Sequence, residues 1–352
     1  MEDPKTISPK CCCGKAQEPA IADHAGSGKV DRGTIPVVST TLSLADRLGA
    51  WKVRWGIKRG RYRVTPGLYA IGHPGDKDVV LVSSNYKLSF DELRKELDGL
   101  NVWILVLDTK GINVWCAAGK GTFGTDELVR RIAVTGLPEV VSHRALILPQ
   151  LSAPGVSGFE VKKRSGFAVI FGPIRARDIK SFLDHGMKAD ARMRRVTFSF
   201  RDRLKVVPVE FVGAMKYFII YAAILAIWLF ARGGLTVRSL RDGSLPFLGA
   251  VLIGSVITPV LLPWIPFRSF TLKGWVMGFL WAIGLSAFQK AGIPLLAGNL
   301  LLLPAIAAYL ALNFTGSTTF TSQNGVNKEI RIFARPMAIT ALIGIALLIL
   351  GR

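Results

Sequence analysis

The carboxyl-terminal part of the chain carries five long apolar runs, and these restrict its fold more than any other feature does. The runs are Val212–Ala231, Leu245–Ile265, Phe270–Phe288, Ile293–Leu312 and Pro336–Leu350. A helix that crosses a bilayer needs about 20 mostly apolar residues, and the third and fifth runs have apolar cores of only about 15. For these two we expect Lys273 and Arg335 to extend from the helix ends to the interface. The pattern predicts an all-α membrane domain, residues 212–352, of about five transmembrane helices, and it excludes a purely soluble protein.

Charge separates the two parts of the chain. Of the 45 Lys and Arg residues 11 lie from Val212 onward, whereas only two of the 24 Asp and Glu residues do. Positive charges ahead of a first span are what the positive-inside rule places in the cytoplasm, and they also attract anionic lipids. No nucleic-acid-binding motif accompanies the net charge of +21. We therefore expect the lipid bilayer, and no nucleic acid, as the partner of the basic residues.

The amino-terminal domain is expected to stay in the cytoplasm. The first 40 residues are polar and show no apolar signal segment. Arg201, Arg203 and Lys205 precede the first span, in agreement with this orientation. The loop Arg232–Ser244, which would then lie outside, carries three arginines and opposes the rule. The sequence predicts a multi-pass protein of the cytoplasmic (inner) membrane.

Residues 1–64 precede the first predicted strand and divide into two segments. Residues 1–40 have the composition of a disordered tail, and they include the consecutive Cys11, Cys12 and Cys13. Residues 41–64 form a basic amphipathic segment, in which spacings of three and four place Leu and Trp side chains on one helical face. This face could lie on a membrane surface or dock on the folded domain, and the sequence leaves both open.

Residues 65–211 alternate between strand and helix patterns. The predicted strands are Gly67–Ile71, Val79–Ser83, Val102–Leu107, Ala145–Leu148, Phe167–Phe171 and one near Val196–Phe200. Ser89, with Glu92 three residues later, predicts a helix N-terminus with a capping box. Thr125 predicts the start of a second helix, and Ala176–His185 a third. Strands that alternate with helices indicate a parallel, doubly wound sheet, that is, a Rossmann-like α/β domain.

The segment after Val102–Leu107 is a candidate ligand-binding segment, because ligands of doubly wound sheets bind beyond the carboxyl ends of the strands. Asn113 is a good N-cap, and the following Val-Trp-Cys-Ala-Ala-Gly-Lys predicts about two helical turns. Cys116 then occupies the third helical position, where the helix N-terminus favours the thiolate. Lys120 lies four residues on, on the same face, and the small residues between them leave room for a flat ligand.

Other interpretations of this segment stay open on the residues alone. Cys116 could be a buried small side chain, the usual fate of a cysteine outside a disulfide. It could be a nucleophile, which needs a base, but the local sequence marks none of the candidates. The candidate bases are His73, His143 and His185. The glycine-rich Gly119–Thr125 could bind phosphate, although it lacks the spacing of a P-loop.

The string NVWCAAGKGTFGT, Asn113–Thr125, resembles the cap-helix motif of the HgcA family, the membrane corrinoid proteins of microbial mercury methylation. Six further segments are similar to that family: GLYAIG, NYKLSFDELR, LVLDTKGINVWCAAGK, LPQLSAPGV, GFAVIFGPIRARDI and NFTGSTTFTSQNGV. The resemblance covers roughly residues 65–350 and leaves out the amino-terminal tail. The cysteine of the motif separates this family from the related corrinoid iron–sulfur protein of the acetyl-CoA pathway.

The resemblance implies that residues 65–211 bind a cobamide, a cobalamin-type corrinoid, with the cap helix against its lower face. The Cys116 thiolate would be the catalytic group and the lower axial ligand of cobalt. An electron-rich ligand there would favour methyl transfer from the Co(III)-bound cobamide to Hg(II), forming methylmercury. The implied cofactor-binding residues are Thr109, Gly111, Asn113, Val114, Trp115, Cys116, Ala117, Ala118, Gly119, Lys120, Gln150 and Leu151.

The resemblance also implies partners. A ferredoxin-like protein with two 4Fe–4S clusters (HgcB) would reduce cobalt, and a methylated folate-type donor system would supply the methyl group. The polar loop Asn313–Val326 is either an exposed connector or a docking surface for the corrinoid domain or the ferredoxin. Cys11, Cys12 and Cys13 are either incidental or ligands for Hg(II), since thiolates suit soft metals.

Two other functions remain as alternatives. One keeps the fold and changes the acceptor, giving a corrinoid methyl carrier of the acetyl-CoA-pathway type, against which Cys116 argues. The other is a non-enzymatic membrane scaffold or transporter, although no acidic residue or evident ion pair lies in the middle of a predicted span.

Overall fold

The structure, a computed structural model, describes residues 35–290, 292–316, 321 and 323–350. The chain forms two compact units. Unit 1 runs to Val53 and continues over Ile57–Val196, and unit 2 comprises Arg54–Gly56 and the chain from Thr197 onward. Unit 2 therefore begins before the predicted boundary at residues 211 and 212, which falls inside a continuous helix. Cys11, Cys12 and Cys13 lie outside the described residues.

Unit 1 is built on a five-stranded mixed sheet. Its strands are β1 (Gly67–Ile71), β2 (Val80–Ser84), β3 (Val102–Leu107), β4 (Ala145–Leu148) and β5 (Ala168–Phe171). They lie in the order β1-β3-β2-β4-β5, with β2, β3, β4 and β5 parallel and β1 antiparallel to β3. The connection from β1 to β2 is too short for the crossover that parallel strands require. The predicted parallel, doubly wound sheet is thus correct for four strands and wrong for the edge strand β1.

Helices cover both faces of this sheet. The helices of unit 1 are α1 (Leu44–Arg54), α2 (Lys87–Arg94), α3 (Val114–Gly119), α4 (Thr125–Val134), α5 (Leu137–Val140), α6 (Gly158–Ser165) and α7 (Ile179–Asp184). Short 3-10 turns lie at Arg59–Arg61, Gln150–Ser152 and Ala176–Asp178. Because side chains alternate along a strand, Val80 and Val82 pack towards α4 and α6, and Leu81 packs towards α2 and α7. The two layers explain the helix–strand alternation of the sequence.

Two sequence-based expectations about local structure are wrong. Helix α2 begins at Lys87, and the Ser89 amide donates to the carbonyl of Tyr86, so Ser89 lies inside the helix and is not its N-cap. The strand expected near Val196–Phe200 does not form. Instead Ser199 and Asp202 make a capping box at the start of a long helix, and a local cap of this kind fixes the helical conformation.

Unit 2 is helical. It contains α8 (Phe200–Ala231), α9 (Val237–Leu252), a π-helical turn (Ile253–Ile257), α10 (Thr258–Leu261), α11 (Phe270–Phe288), α12 (Ile293–Gly316) and α13 (Gln323–Leu350). By length and composition, five candidate membrane spans lie within the described residues. They are Phe200–Ala231, Val237–Leu261, Phe270–Phe288, Ile293–Gly316 and Asn324–Leu350. The predicted number of spans is confirmed, and most of the helices extend beyond their apolar runs.

Helices α11 and α12 meet at very short distance. A Cβ atom placed on Gly274 would lie 2.6 Å from the carbonyl oxygen of Ala307, and one on Gly278 would lie 2.7 Å from Cα of Pro304. Small residues of this kind let the backbones of membrane helices approach closely. The apolar windows of α8 and α13, in contrast, are buried to a much smaller extent than that of α12.

The ends of the spans differ from the predicted arrangement in two places. Lys273 is buried, and its ammonium group donates to the carbonyl of Leu262 instead of extending to the interface. Much of the predicted loop Asn313–Val326 is helical, since α12 ends only at Gly316 and α13 begins at Gln323. Glu329, near the start of α13, accepts four hydrogen bonds from residues at the start of α11.

Candidate functional site

The order of the parallel strands reverses between β2 and β4. The chain passes from β2 outward to β3, and then crosses back to β4 and on to β5. In doubly wound sheets, ligands bind beyond the carboxyl ends of the strands at such a switch point. Helix α3 follows β3 at this edge, and the turn Gln150–Ser152 follows β4 there. The fold therefore brings the two predicted groups of site residues to the same place.

Helix α3 begins as the sequence predicts. Asn113 is its N-cap, and the side-chain oxygen of Asn113 accepts a hydrogen bond from the backbone amide of Cys116 at 2.9 Å. Cys116 is the third residue of the helix and is half-buried. The next two residues, Ala117 and Ala118, are buried in the apolar core on the α4 and α6 side of the sheet. Their small side chains let α3 pack closely on the core, and the first turn of the helix carries the thiol of Cys116.

The loop that leads into α3 is held by Asn85, which directly follows β2. The side-chain oxygen of Asn85 accepts hydrogen bonds from the backbone amide of Thr109 at 3.1 Å, the hydroxyl of Thr109 at 2.9 Å and the amide of Gly111 at 2.9 Å. Its amide nitrogen donates to Asp108 at 3.0 Å. Within the loop Lys110 has φ 58° and Gly111 has φ 72°, a left-handed conformation that is unfavourable for lysine. The hydrogen bonds to Asn85 therefore offset the free-energy cost of this strained turn.

Asp108 adds charge to the same loop. Burial opposes ionisation of its carboxyl group, but a hydrogen bond from the Lys110 amide and the charge of Lys110 bring its pKa below the ordinary value. The backbone amide of Asp108 donates to Glu127 at 2.8 Å, and Glu127 also pairs with Arg131 at 2.6 Å. The loop is thus tied both to the end of β2 and to α4.

Two polar atoms at the switch point are buried without a hydrogen-bond partner in the described part of the chain. They are Oγ of Ser84, a residue with 0% exposure at the end of β2, and Oε1 of Gln150, directly after β4 and Pro149. Since Leu81 pairs with Ile147, Ser84 and Gln150 occupy corresponding positions at the carboxyl ends of neighbouring strands. By strand alternation, Ser84 shares the face of Val80 and Val82, on which α3 lies. An unsatisfied buried polar atom costs free energy, so the pair indicates a place for a ligand's polar groups.

The loop after β4 packs tightly on α3. A Cβ atom on Gly155 would lie 2.4 Å from the carbonyl oxygen of Phe123 and 2.9 Å from Cα of Ala118. Only glycine permits this approach, and it fixes the distance between the loop and the helix. The turn Gln150–Ser152 also contacts α3.

The structure places all twelve residues of the predicted cofactor site at this edge of the sheet. Those that are buried are Thr109, Gly111, Ala117 and Ala118, and those that are half-buried are Asn113, Val114, Trp115, Cys116, Gln150 and Leu151. Gly119 and Lys120 are exposed. Ser84 and Asn85 also lie at this edge but were not among the predicted residues. The signal in the sequence is the polar Ser-Ser-Asn that ends the apolar strand β2.

The candidate bases for a nucleophilic cysteine lie elsewhere. His73 follows the antiparallel strand β1 and His143 precedes β4, so both lie at the amino edge of the parallel strands. His185 follows α7, which packs on the opposite face of the sheet from α3. The fold therefore gives no support to activation of Cys116 by any of these three histidines.

Comparison with known proteins places the similarity in unit 1. Residues 58–183 match the family model of the CO dehydrogenase/acetyl-CoA synthase delta subunit (CdhD). The chain is also similar to proteins named acetyl-CoA decarbonylase/synthase complex subunit gamma. The protein of Archaeoglobus fulgidus is 33% identical over 124 residues, which are 35% of this chain and 26% of the relative. That of Methanocaldococcus jannaschii is 31% identical over 122 residues, 34% of this chain and 25% of the relative. The chain thus spans about a quarter of the length of these relatives.

Proposed function

We propose that this protein is a membrane-anchored, corrinoid-dependent methyltransferase that forms methylmercury from Hg(II), with the Cys116 thiolate as lower axial ligand of the cobalt of a bound cobamide. The observation that carries this proposal is the Asn113-capped helix α3, which presents Cys116 at the switch point of the sheet. The resemblance of Asn113–Thr125 to the cap-helix motif of the HgcA family supports mercury as the acceptor in this proposal. The similarity of unit 1 to the acetyl-CoA decarbonylase/synthase gamma subunits supports the broader class of corrinoid methyl-transfer proteins.

The residues at the switch point fit a cobamide. After Cys116, the side chains of Ala117 and Ala118 pack into the core and the exposed Gly119 has none, so that these three residues place no bulky group beside the thiol in the way of a flat macrocycle. The partnerless oxygens of Ser84 and Gln150 match the amide groups at the rim of a corrinoid, because such amides donate hydrogen bonds. When bound, the cobamide supplies a cobalt-carried methyl group, and a soft thiolate ligand raises the electron density available to it.

The chain's own residues have three tasks in this proposal. Asn113 fixes the backbone of Cys116, so that the thiolate keeps one position without rearrangement during the reaction. Asn85 fixes the loop from Asp108 to Gly111 and thereby the start of α3. Gly155 holds the loop after β4 against Ala118, which sets the width of the binding region.

The partners and location form part of the same proposal. Unit 1 would lie in the cytoplasm, beside a cytoplasmic membrane that the spans of unit 2 cross. A ferredoxin-like protein with 4Fe–4S clusters would reduce cobalt after each turnover, and a methylated folate-type system would restore the methyl group. Cys11, Cys12 and Cys13 would capture Hg(II) at low concentration, because thiolates are soft ligands.

A corrinoid methyl carrier of the acetyl-CoA-pathway type is the second candidate. The similarity to the gamma subunits favours it. This carrier would deliver its methyl group to an acceptor other than mercury and would not require a thiolate at position 116.

Purified full-length protein, loaded with methylcobalamin, distinguishes the candidates. We expect a visible spectrum characteristic of thiolate-ligated cobalt, and methylmercury on addition of Hg(II). Cys116→Ala should lose both while it retains bound corrinoid, and Cys116→Thr should be equally inactive because a neutral hydroxyl is a poor cobalt ligand. A variant with Cys11, Cys12 and Cys13 changed to Ser is the matched control and should keep full activity at saturating Hg(II). Wild-type rates in Cys116→Ala would refute the ligand role, and a colourless protein that binds no corrinoid would refute both candidates.

A further inference from the structure

Helix α1 is firmly attached to unit 1 through one of its faces. Asp46 forms ion pairs with Lys87 at 2.5 Å and Arg94 at 2.8 Å, both on α2. The hydroxyl of Tyr62 donates to the backbone carbonyl of Asp46, and Val53 is buried. The basic amphipathic segment therefore docks on the folded unit, which is one of the two arrangements that its sequence left open.

The opposite face of α1 presents large apolar side chains to the surroundings. Leu44 is 73% exposed, Leu48 49% and Trp51 56%, and we call these three residues the α1 ridge. Their spacing of four and three places them in one row along the helix. The row points away from Val53, which lies about half a turn from it around the helix. In the docked helix, the three side chains of the α1 ridge thus keep about half or more of their surface exposed.

Basic side chains border the α1 ridge. By helical geometry Arg47 and Lys52 lie on its two sides, and both are exposed. Lys58 and Arg61, which follow the helix, are exposed as well. The one acidic residue of α1, Asp46, is directed towards Lys87 and Arg94 and so adds no negative charge to the ridge. An apolar row with a cationic border is complementary to a surface that is apolar inside and anionic at its rim.

We propose that the α1 ridge binds the surface of an anionic lipid bilayer. Helices that lie in the interface have this composition, with Trp and Leu on one side and Lys and Arg around them. The bilayer is the surface most constantly available to this chain, because its carboxyl-terminal part contains five candidate spans. Since Asp46 ties α1 to α2, binding of the α1 ridge would hold the α/β unit against the lipid headgroups. This inference rests on the proposed membrane location and not on the proposed catalytic chemistry.

The test uses the full-length chain in lipid nanodiscs. In a background with all four cysteines changed to Ser, an environment-sensitive fluorophore is attached at Leu48→Cys or, as a control, at Val134→Cys. Val134 is also an exposed apolar residue on a helix of unit 1, but it does not belong to an apolar row. The discs contain phosphatidylcholine with or without phosphatidylglycerol. Quenching is measured with a spin-labelled lipid and, separately, with acrylamide in water.

We expect the label at position 48 to be quenched by the spin-labelled lipid and protected from acrylamide when phosphatidylglycerol is present, at a depth of about 5–10 Å. The label at position 134 should respond only to acrylamide. Changing Arg47 and Lys52 together to Gln should lower the ratio of bound to unbound α1 by about 25-fold, since each basic residue contributes about fivefold on an anionic surface. These substitutions leave the ion pairs of Asp46 intact.

Two results would overturn the proposal. One is a label at position 48 that acrylamide quenches as strongly as the label at position 134 in both kinds of disc. The other is a label at position 48 that neither quencher reaches, whatever the lipid, because this result assigns the α1 ridge to a protein surface.

Discussion

The side-chain oxygen of Asn85 lies 2.9 Å from the backbone nitrogen of Gly111 and accepts its hydrogen bond across 26 positions of sequence. The same oxygen serves both donors of Thr109. One amide group at the end of β2 therefore determines the conformation of the turn that precedes the cysteine helix.

Replacing Asn85 by Ala should loosen this turn without unfolding the unit. The change leaves several buried donors unsatisfied, and we expect the free energy of local opening to fall by about 2–4 kcal/mol. Hydrogen–deuterium exchange over residues 108–116 and the alkylation rate of Cys116 measure the effect. Asn101→Ala is the matched control, because Asn101 also accepts a backbone hydrogen bond, from His73. Equal exchange over residues 108–116 in both variants would contradict the positioning role of Asn85.

Replacing Asn113 by Ala should remove the N-cap of α3 at a cost of about 1 kcal/mol. The control is Ser157→Ala, since the Ser157 hydroxyl caps α6 by accepting from the amide of Glu160. Thermal unfolding should show a similar loss for both variants. Cobamide affinity and the visible spectrum of the bound cobalt should change only in Asn113→Ala. A spectrum unchanged by the loss of Asn113 would mean that the cap does not position the thiolate.

Replacing Ser84 by Ala should affect stability and binding in opposite directions. Without cobamide, removal of a partnerless buried hydroxyl should leave stability unchanged or raise it by up to about 1 kcal/mol. Cobamide affinity should fall about fivefold, the equivalent of one hydrogen bond. Ser165→Ala is the control, because the Ser165 hydroxyl already donates to Val161 and its loss should destabilise the unit without changing affinity. Cobamide titration followed by absorption measures binding, and a wild-type affinity for Ser84→Ala would remove Ser84 from the site.

The attachment of α1 should weaken in acid. Hydrogen bonding to Lys87 holds the pKa of Asp46 far below its ordinary value, despite the opposing effect of burial. The stabilising contribution is therefore complete above about pH 5, about one pH unit above the unfolded pKa of about 3.9, and it is lost progressively as pH falls from there towards the lowered pKa of the folded state. Hydrogen–deuterium exchange of α1 should accelerate over this range in the wild type and much less steeply in Asp46→Asn. Asp126→Asn, which removes an exposed carboxylate paired with Arg164, should behave like the wild type.

The predictable features are those that depend on neighbours in sequence. Asn113 as an N-cap, Thr125 as a helix start and Phe270–Phe288 as a span all follow from the local pattern, and the structure agrees. The reverse orientation of β1 follows instead from its short connection to β2 and its pairing with β3, and the periodicity within Gly67–Ile71 indicates neither.

The predicted site residues lie in the segment of the cysteine helix and at Gln150 and Leu151, and the residues at the end of β2 were missed. Ser84 and Asn85 reach the candidate site through the register of β2 with its neighbours, which places them beside residues more than 20 positions away. Lys273 shows the same limit in unit 2. Its position near a helix end predicted an interfacial residue, but the carbonyl that it contacts belongs to Leu262, which directly follows α10.

The contact between Gly274 and Ala307 also bears on how the chain is made. In the proposed membrane domain, helix α8 would leave the ribosome before its neighbours, and because its apolar window is little buried its retention in lipid would rely on its own apolar length and the basic residues ahead of it. Helices α11 and α12 follow each other closely and fit together backbone to backbone, which suits release from the translocon as a paired hairpin. A substitution that fills this contact would therefore first reduce insertion and cellular yield, before any mature protein could be assayed.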